Sequence, residues 1–297
     1  MDIQRIAVIG AGIMGEGIAQ IAAQAGYRVL HIDKDQTALD RATKAMDYSL
    51  ERLCSKGAVG ETKDLVLSRI QQQCSFDGLG DMDVVIEAVY ERIDVKHALF
   101  KEIEPLLADH AILTTNTSTI PMETLAEALE RPERLVGTHF FTPVQVNPLL
   151  ELIKGSRTDE GLFEIACDLG ERLGKHVLRV KKDVPGFIMN RLTGAMCIEA
   201  MHLIETGAAS VEDIDEGLNI GYGYPLGPLG IADLAGLDVC LDAFTNIWTL
   251  DGKPDGKKPP EILKRMVAEG KLGRKTGEGF YKYDARGKMA GVAVVVE

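Results

Sequence analysis

The chain has 297 residues with 45 acidic against 33 basic side chains, a formal net charge of -12, and 45% hydrophobic composition. The negative surplus repels phosphate backbones and anionic bilayer surfaces, so neither a nucleic acid nor a membrane is expected as a partner. The length exceeds what one core usually organises, which predicts two domains. The start, MDIQRIAVIG, enters a strand-like run without a basic region and a long apolar stretch, and no apolar span of about eighteen residues follows. A cytoplasmic protein without a targeting segment is the expectation. The five cysteines, Cys54, Cys74, Cys167, Cys197 and Cys240, are scattered with no CxxC pair. That pattern predicts buried thiols in a reducing compartment and no metal site.

Through the first 180 or so residues, the β-rich runs IAVIG, YRVLHID, DVVIEAV, AILTTN, RLVGTHFF and HVLRV alternate with segments of helical periodicity. This rhythm predicts βαβ units and a doubly wound, mostly parallel sheet of the Rossmann kind. The first run leads into GAGIMGEG, where Gly10, Gly12 and Gly15 form G-x-G-x-x-G at the opening of a helix that includes Ile13 and Met14. The first glycine permits a tight turn, the second lets a pyrophosphate approach the backbone, and the third lets helix and strand pack closely. Asp33, eighteen residues beyond Gly15, closes the second run. A carboxylate there accepts from both adenosine ribose hydroxyls and repels a 2′-phosphate, which points to NAD rather than NADP. Later, Thr158 to Gly174 reads as a helix burying Leu162, Ile165, Ala166, Leu169 and Leu173 on one face.

At KKDVPGF the pattern changes, because Pro185 and Gly186 punctuate the chain. The boundary is set at 184/185, and residues 185–297 read as an all-helical domain, with no convincing strand before the poorly periodic tail GVAVVVE. Within it GYGYPLGPLG is glycine-rich, but its prolines remove backbone donors and no strand leads into it. A structural turn is expected there, not a phosphate cradle.

A dinucleotide site implies hydride chemistry, and the alcohol that loses hydride must also lose a proton to a base. Of the six histidines, five have no evident partner in sequence. His139 closes the run RLVGTH, at the edge of a parallel sheet where ligands bind. PLLELI reads as a further extended run that could return Glu151 beside His139 and fix its tautomer. On the residues alone, a catalytic base and a core histidine are equally open.

Six motifs in order, GAGIMGEGIAQ, IEAVYERIDVK, TTNTSTI, GTHFFTPV with its glutamate, DVPGFIMNRL and KLGRKTGEGFY, make the chain from about residue 3 to 283 resemble the L-3-hydroxyacyl-CoA dehydrogenases, including the 3-hydroxybutyryl-CoA enzymes. The resemblance implies reversible NAD-dependent oxidation of an L-3-hydroxyacyl-CoA of short chain. It also implies a homodimer formed through the C-terminal domain, and an active site in the cleft between the domains. It gives His139 the role of general base, Glu151 that of its orienting carboxylate, Ser118 that of the hydroxyl on the substrate oxygen, and Asn190 that of its amide partner. Glu91 and Lys96 match positions that border the ribose and nicotinamide side of the cofactor. Ser49 and Lys56, seven residues apart on one helical face, match contacts to coenzyme A. One departure is HFFTP, with Thr142 where the family usually has asparagine. Its shorter reach alters the site's fine geometry. Other readings of the same residues are a dehydrogenase of the same fold acting on a free hydroxy acid, and a non-catalytic homologue. A Ser118, His139, Glu151 hydrolase is disfavoured, because NTSTI lacks the nucleophile elbow.

Overall fold

A computed structural model describes residues 2–294. It forms two compact units, Met1–Val184 and Pro185–Glu297. In the first unit the elements run β1 (Arg5–Ile9), α1 (Ile13–Gln24), β2 (Arg28–Ile32), α2 (Gln36–Ser55), α3 (Lys63–Leu67), β3 (Ile70–Gln73), β4 (Val84–Glu87) and α4 (Ile93–Ile103). They continue as β5 (Ile112–Thr115), α5 (Met122–Ala126), β6 (Leu135–Phe140), β7 (Leu149–Ile153), α6 (Glu160–Arg172) and β8 (His176–Val180). The strands make one eight-stranded sheet in the order β3-β2-β1-β4-β5-β6-β7-β8. Every neighbouring pair is parallel except β6 with β7, so β7 and β8 run opposite to the first six.

The central strands β4, β5 and β6 are buried along their whole length and largely apolar because helices cover both faces. Ile6, Val8, Val84, Ile86, Ile112 and Val136 accordingly lie in one core with Ile18, Ala22, Leu39 and Phe163 from the helices. Polar residues start the helices: Asp35 accepts from Thr37 N at 2.9 Å ahead of α2, and Asp159 accepts from Leu162 N at 2.9 Å ahead of α6. One reading of this unit needs correction, and one strand has no sequence signal. The centre of the buried face of α6 lies nearer Phe163, Ala166, Cys167 and Gly170, while Leu162 and Ile165 are only partly buried. Gly170 sits where a Cβ would come within 2.7 Å of Val177 Cγ2, which fixes that stripe against the sheet. The strand β3, sequence IQQQ, has no apolar alternation to betray it, since it is an edge strand with Gln71 exposed.

The second unit contains α7 (Met189–Glu205), α8 (Val211–Tyr222), α9 (Pro228–Ala235), α10 (Leu237–Leu250), α11 (Glu261–Ala268), β9 (Tyr281–Tyr283) and β10 (Met289–Val292). It is therefore not all-helical: β9 and β10 pair as a small antiparallel sheet. Of the tail GVAVVVE, β10 takes in Gly291 and Val292, and residues 295–297 lie outside the described residues.

Two buried carboxylates organise this unit's turns. Asp215 accepts from Leu229 N at 3.0 Å, Gly230 N at 2.9 Å and Tyr281 Oη at 2.9 Å. The first-turn amides of α9 are thus taken by the protein's own acid, and GYGYPLGPLG is a turn between a left-handed Gly223 cap and the N-cap Gly227. Asp233 in turn accepts from Phe280 N and Tyr281 N, each at 2.9 Å. A Cβ on Gly279 would lie 2.1 Å from Asp233 Oδ1, so this glycine of KTGEGFY answers to packing, while Gly277 answers to its φ of +82°. The five cysteines are all free; Cys167, Cys197 and Cys240 are buried, whereas Cys54 is half-buried and Cys74 exposed. Burial pushes the Cys167 thiol up to about 11 and Cys240 to about 12. Among the described residues no helix is long and apolar enough to cross a membrane.

Candidate active site

The first six strands in chain order are parallel, so their C-terminal ends share one edge of the sheet. On that edge lie the glycine turn after β1, Asp33 after β2, Glu87 closing β4, the Ser118 loop after β5 and His139 near the end of β6. Open α/β sheets bind ligands along this edge.

The three glycines stand in different surroundings. Gly10 has φ +113°, and a Cβ there would lie 2.4 Å from the Ala88 carbonyl oxygen. At Gly15 a Cβ would lie 1.8 Å from the Gly10 carbonyl oxygen. Gly12, the N-cap of α1, has extended backbone open to any residue, and a Cβ on it would meet no atom within 4 Å. Nothing within the chain demands glycine at position 12. The start of α1 offers backbone N–H groups and the positive end of the helix dipole beside that space, which fits a pyrophosphate. Ile13 is exposed and Met14 half-buried in this first turn. Asp33 fits the ribose position: Oδ2 accepts from Ala11 N at 2.7 Å and Oδ1 from Asp35 N at 3.0 Å, leaving each oxygen a further lone pair.

Behind Ser118 stands a cluster that the sequence did not disclose. Lys96 is wholly buried, its Nζ 2.7 and 2.8 Å from the two oxygens of Glu87 and 3.3 Å from Glu91 Oε2. Glu87 also accepts from Thr115 Oγ1 at 2.5 Å and Val89 N at 2.7 Å. Glu91 Oε1 accepts from Thr117 Oγ1 at 2.7 Å, Ser118 N at 2.7 Å and Thr119 N at 3.0 Å. Burial pushes the Glu91 carboxyl up, but Lys96 and these three donors outweigh it and hold the group below the usual carboxylate range. Lys96 is thus a buried charge paired with two carboxylates, not a solvated one. It reaches the edge through Glu91, which shapes the loop that carries Ser118.

The antiparallel pairing of β6 with β7 puts His139 directly opposite Glu151. His139 Nδ1 lies 2.7 Å from Glu151 Oε2, with the histidine nearly buried and the glutamate fully so. A carboxylate at that distance accepts from Nδ1–H, which leaves the lone pair of a neutral ring on Nε2. The Phe141 ring packs at 4.5 Å, centroid to centroid, tilted by 53°. Asn116 Oδ1 accepts from Phe140 N at 3.1 Å and ties the end of β6 to the Ser118 loop; sequence reading passed over this asparagine. Thr142 sits beyond that end, its hydroxyl 3.2 Å from Met14 Sδ.

Ser49 and Lys56 belong to α2 and its end. Ser49 is half-buried, and exposed Lys56 is the C-cap one residue past the helix. Arg41, Lys44, Tyr48, Arg52 and Lys56 recur at spacings of three or four, all exposed, so they form one cationic stripe on an otherwise acidic chain. Asp47 and Glu51, which pair with Lys63, fall three residues from Lys44 and Tyr48 and border the stripe. Asn190 belongs to the second unit, where it is half-buried in the first turn of α7.

Two family models match the chain: the 3-hydroxyacyl-CoA dehydrogenase NAD binding domain over residues 5–184, and the C-terminal domain of the same family over 186–283. A probable 3-hydroxybutyryl-CoA dehydrogenase of Deinococcus radiodurans is 40% identical, covering 94% of this chain and all of that protein. The human mitochondrial hydroxyacyl-coenzyme A dehydrogenase is 38% identical, covering 95% of this chain and 91% of its own length. The crystal structure of (S)-3-hydroxybutyryl-CoA dehydrogenase from Ralstonia eutropha superposes with a TM-score of 0.91 at 38% identity, covering 95% of this chain and 100% of that one.

Proposed function

The chain belongs to the 3-hydroxyacyl-CoA dehydrogenases, and on that premise we propose that His139, oriented by Glu151, is the base in an NAD-dependent oxidation of a short-chain L-3-hydroxyacyl-CoA such as 3-hydroxybutyryl-CoA. The observation that carries the reading is the 2.7 Å pair of His139 and Glu151 on the same sheet edge as the glycine turn. NAD, when bound, accepts hydride from C3 of the substrate. His139 Nε2 takes the hydroxyl proton as the carbonyl forms. Glu151, buried and already on Nδ1, stabilises the resulting imidazolium and prevents the ring from rotating. The Ser118 hydroxyl, on the loop whose backbone Glu91 holds, donates to the oxygen as it becomes a carbonyl, and Asn190 is its amide partner by family resemblance. Loss of NADH absorbance on adding acetoacetyl-CoA is the direct assay; no loss contradicts the activity.

The dinucleotide is placed by Gly10, Gly12, Ile13, Met14, Gly15 and Asp33, with Glu91 and, behind it, Lys96 on the nicotinamide side. Asp33→Ala weakens NADH binding by about 1.5–3 kcal/mol, the range for hydrogen bonds to a charged group, and narrows the gap to NADPH. A parent protein that already prefers NADPH contradicts this role for Asp33. Gly12→Ala leaves the melting temperature nearly unchanged, since its Cβ meets open space, yet raises the NADH dissociation constant. Unaltered affinity in that variant removes the pyrophosphate from this turn.

For the acyl carrier, Ser49 and Lys56 are the coenzyme A contacts, and the cationic stripe of α2 supports them by offering the phosphates several positive charges at once. The free cysteines support a cytoplasmic setting. Exposed Leu192, Ile220, Tyr222 and Val239 support homodimer formation through the second unit, which sedimentation equilibrium tests.

A further inference from the structure

The glutamine-rich strand β3 and one buried histidine lie outside the mechanism above. His31 is the cross-strand neighbour of Val8 on β1 and of Gln72 on β3, and it is fully buried. Its Nε2 lies 3.0 Å from the Gly10 carbonyl oxygen and its Nδ1 3.2 Å from Gln72 Nε2. The Gln72 amide nitrogen is a donor only, and it also faces the Leu39 carbonyl at 3.3 Å, while Thr43 Oγ1 donates to Gln72 Oε1 at 2.6 Å. Nδ1 must therefore accept, and the single ring proton resides on Nε2 and points at Gly10. A one-way hydrogen-bond chain runs from Thr43 through Gln72 and His31 to the glycine turn.

Three successive residues of the β2 end hold that turn. His31 donates to the Gly10 carbonyl, Ile32 O accepts from Gly10 N at 2.7 Å, and Asp33 accepts from Ala11 N. On the other side the Gly10 carbonyl meets the start of α1 so closely that Gly15 has no room for a Cβ. We propose that His31 is a positioning residue of the dinucleotide site, whose Nε2–H form, set by Gln72 and Thr43, fixes the Gly10 carbonyl and with it the amides that receive the pyrophosphate. The proposal rests on the NAD reading of this turn and adds to it a residue that never touches the cofactor.

A pH signature follows. Burial pushes the His31 pKa below its ordinary value, against the opposing effects of the Gly10 bond and Asp33. Asp33, one residue past the end of its own strand, is the charged group that acts on it, and Arg28 begins that strand; Val8, Gln72, Leu39 and Thr43, which face it from β1, β3 and α2, carry no charge. The unfolded chain takes up a proton near the ordinary value of about 6.5 that the native ring refuses. Stability is therefore lost as pH falls below about 6.5. A proton forced onto Nδ1 would face the Gln72 N–H, disturbing the turn.

The test is NADH binding by fluorescence titration of the intact protein from about pH 5.5 to 8, with steady-state kinetics alongside. His31→Leu strands the buried Gly10 carbonyl and raises the NADH dissociation constant about tenfold. The loss appears in KM for NADH rather than in kcat. His31→Gln, whose amide nitrogen reaches the Nε2 position, recovers most of the affinity and loses the parent's acid-side decline. Gln72→Leu reads the same chain from its half-exposed member and weakens binding about threefold, should His31→Leu fail to fold. Folded variants that bind NADH like the parent at every pH, or that lose only melting temperature, overturn the proposal and leave the cofactor reading intact. A parent protein that binds no NADH overturns both.

Discussion

Replacing His139 with glutamine lowers turnover by about 10²- to 10⁴-fold, about 3–5 kcal/mol in the barrier, with NADH affinity nearly unchanged. The expectation follows from geometry: the ring is nearly buried and Glu151 occupies Nδ1, so Nε2 is the atom that takes the proton. Glutamine at 139 keeps a polar atom near that point but cannot hold a proton at neutral pH. Glu151→Gln costs less, because it preserves shape and still accepts from Nδ1–H while removing the charge that supports the imidazolium. Steady-state rates at saturating NADH and acetoacetyl-CoA measure both. Near-normal turnover by the His139 variant contradicts its role as the base.

The second large effect is on stability. Lys96→Met leaves Glu87 buried with no countercharge and is expected to destabilise the fold by about 3–5 kcal/mol, a large share of a typical domain's stability. Urea unfolding measures it. Pairing the change with Glu87→Gln removes both buried charges and recovers part of the loss, since a buried ion pair is costly to break but cheap to replace. A Lys96→Met protein as stable as its parent contradicts the buried pairing. The same cluster has an acid limit. Because Lys96 and the Ser118 loop hold Glu91 below its ordinary value of 4.5, its stabilising contribution is present above that pH. It is lost as pH falls through the lower folded value.

Much of this was legible in the amino-acid order, for physical reasons. Strands buried on both faces read as apolar runs, and G-x-G-x-x-G between such a run and a helix has few other uses. The position of Glu151 followed from PLLELI being extended, since a strand returning antiparallel to RLVGTH brings its acid to the same sheet edge. What escaped notice was polar and made its sense only in space. Glu87 looks like the polar end of DVVIEAV until Lys96, nine residues on, is seen to fill its pocket. IQQQ has no apolar side to mark it as a strand, because the edge position leaves one flank open and Gln72 serves a buried histidine. Likewise β9 is three residues long and its register depends on Asp233, 48 positions before Tyr281. No local pattern encodes such a pairing.

The substrate assignment can be checked by comparing acetoacetyl-CoA, a pantetheine thioester of acetoacetate and free acetoacetate as oxidants of NADH under identical conditions. Coenzyme A lies mostly far from the reacting carbon, and its phosphates can use the cationic stripe of α2 to position the acyl group without entering the chemistry. The account predicts that kcat/KM falls steeply from the coenzyme A thioester to the pantetheine thioester and again to the free acid. Lys56→Ala and raised salt should weaken only the first of these, because an exposed lysine acts through screened charge. Equal activity on acetoacetate and its coenzyme A thioester would contradict the account and make the protein a dehydrogenase of free hydroxy acids.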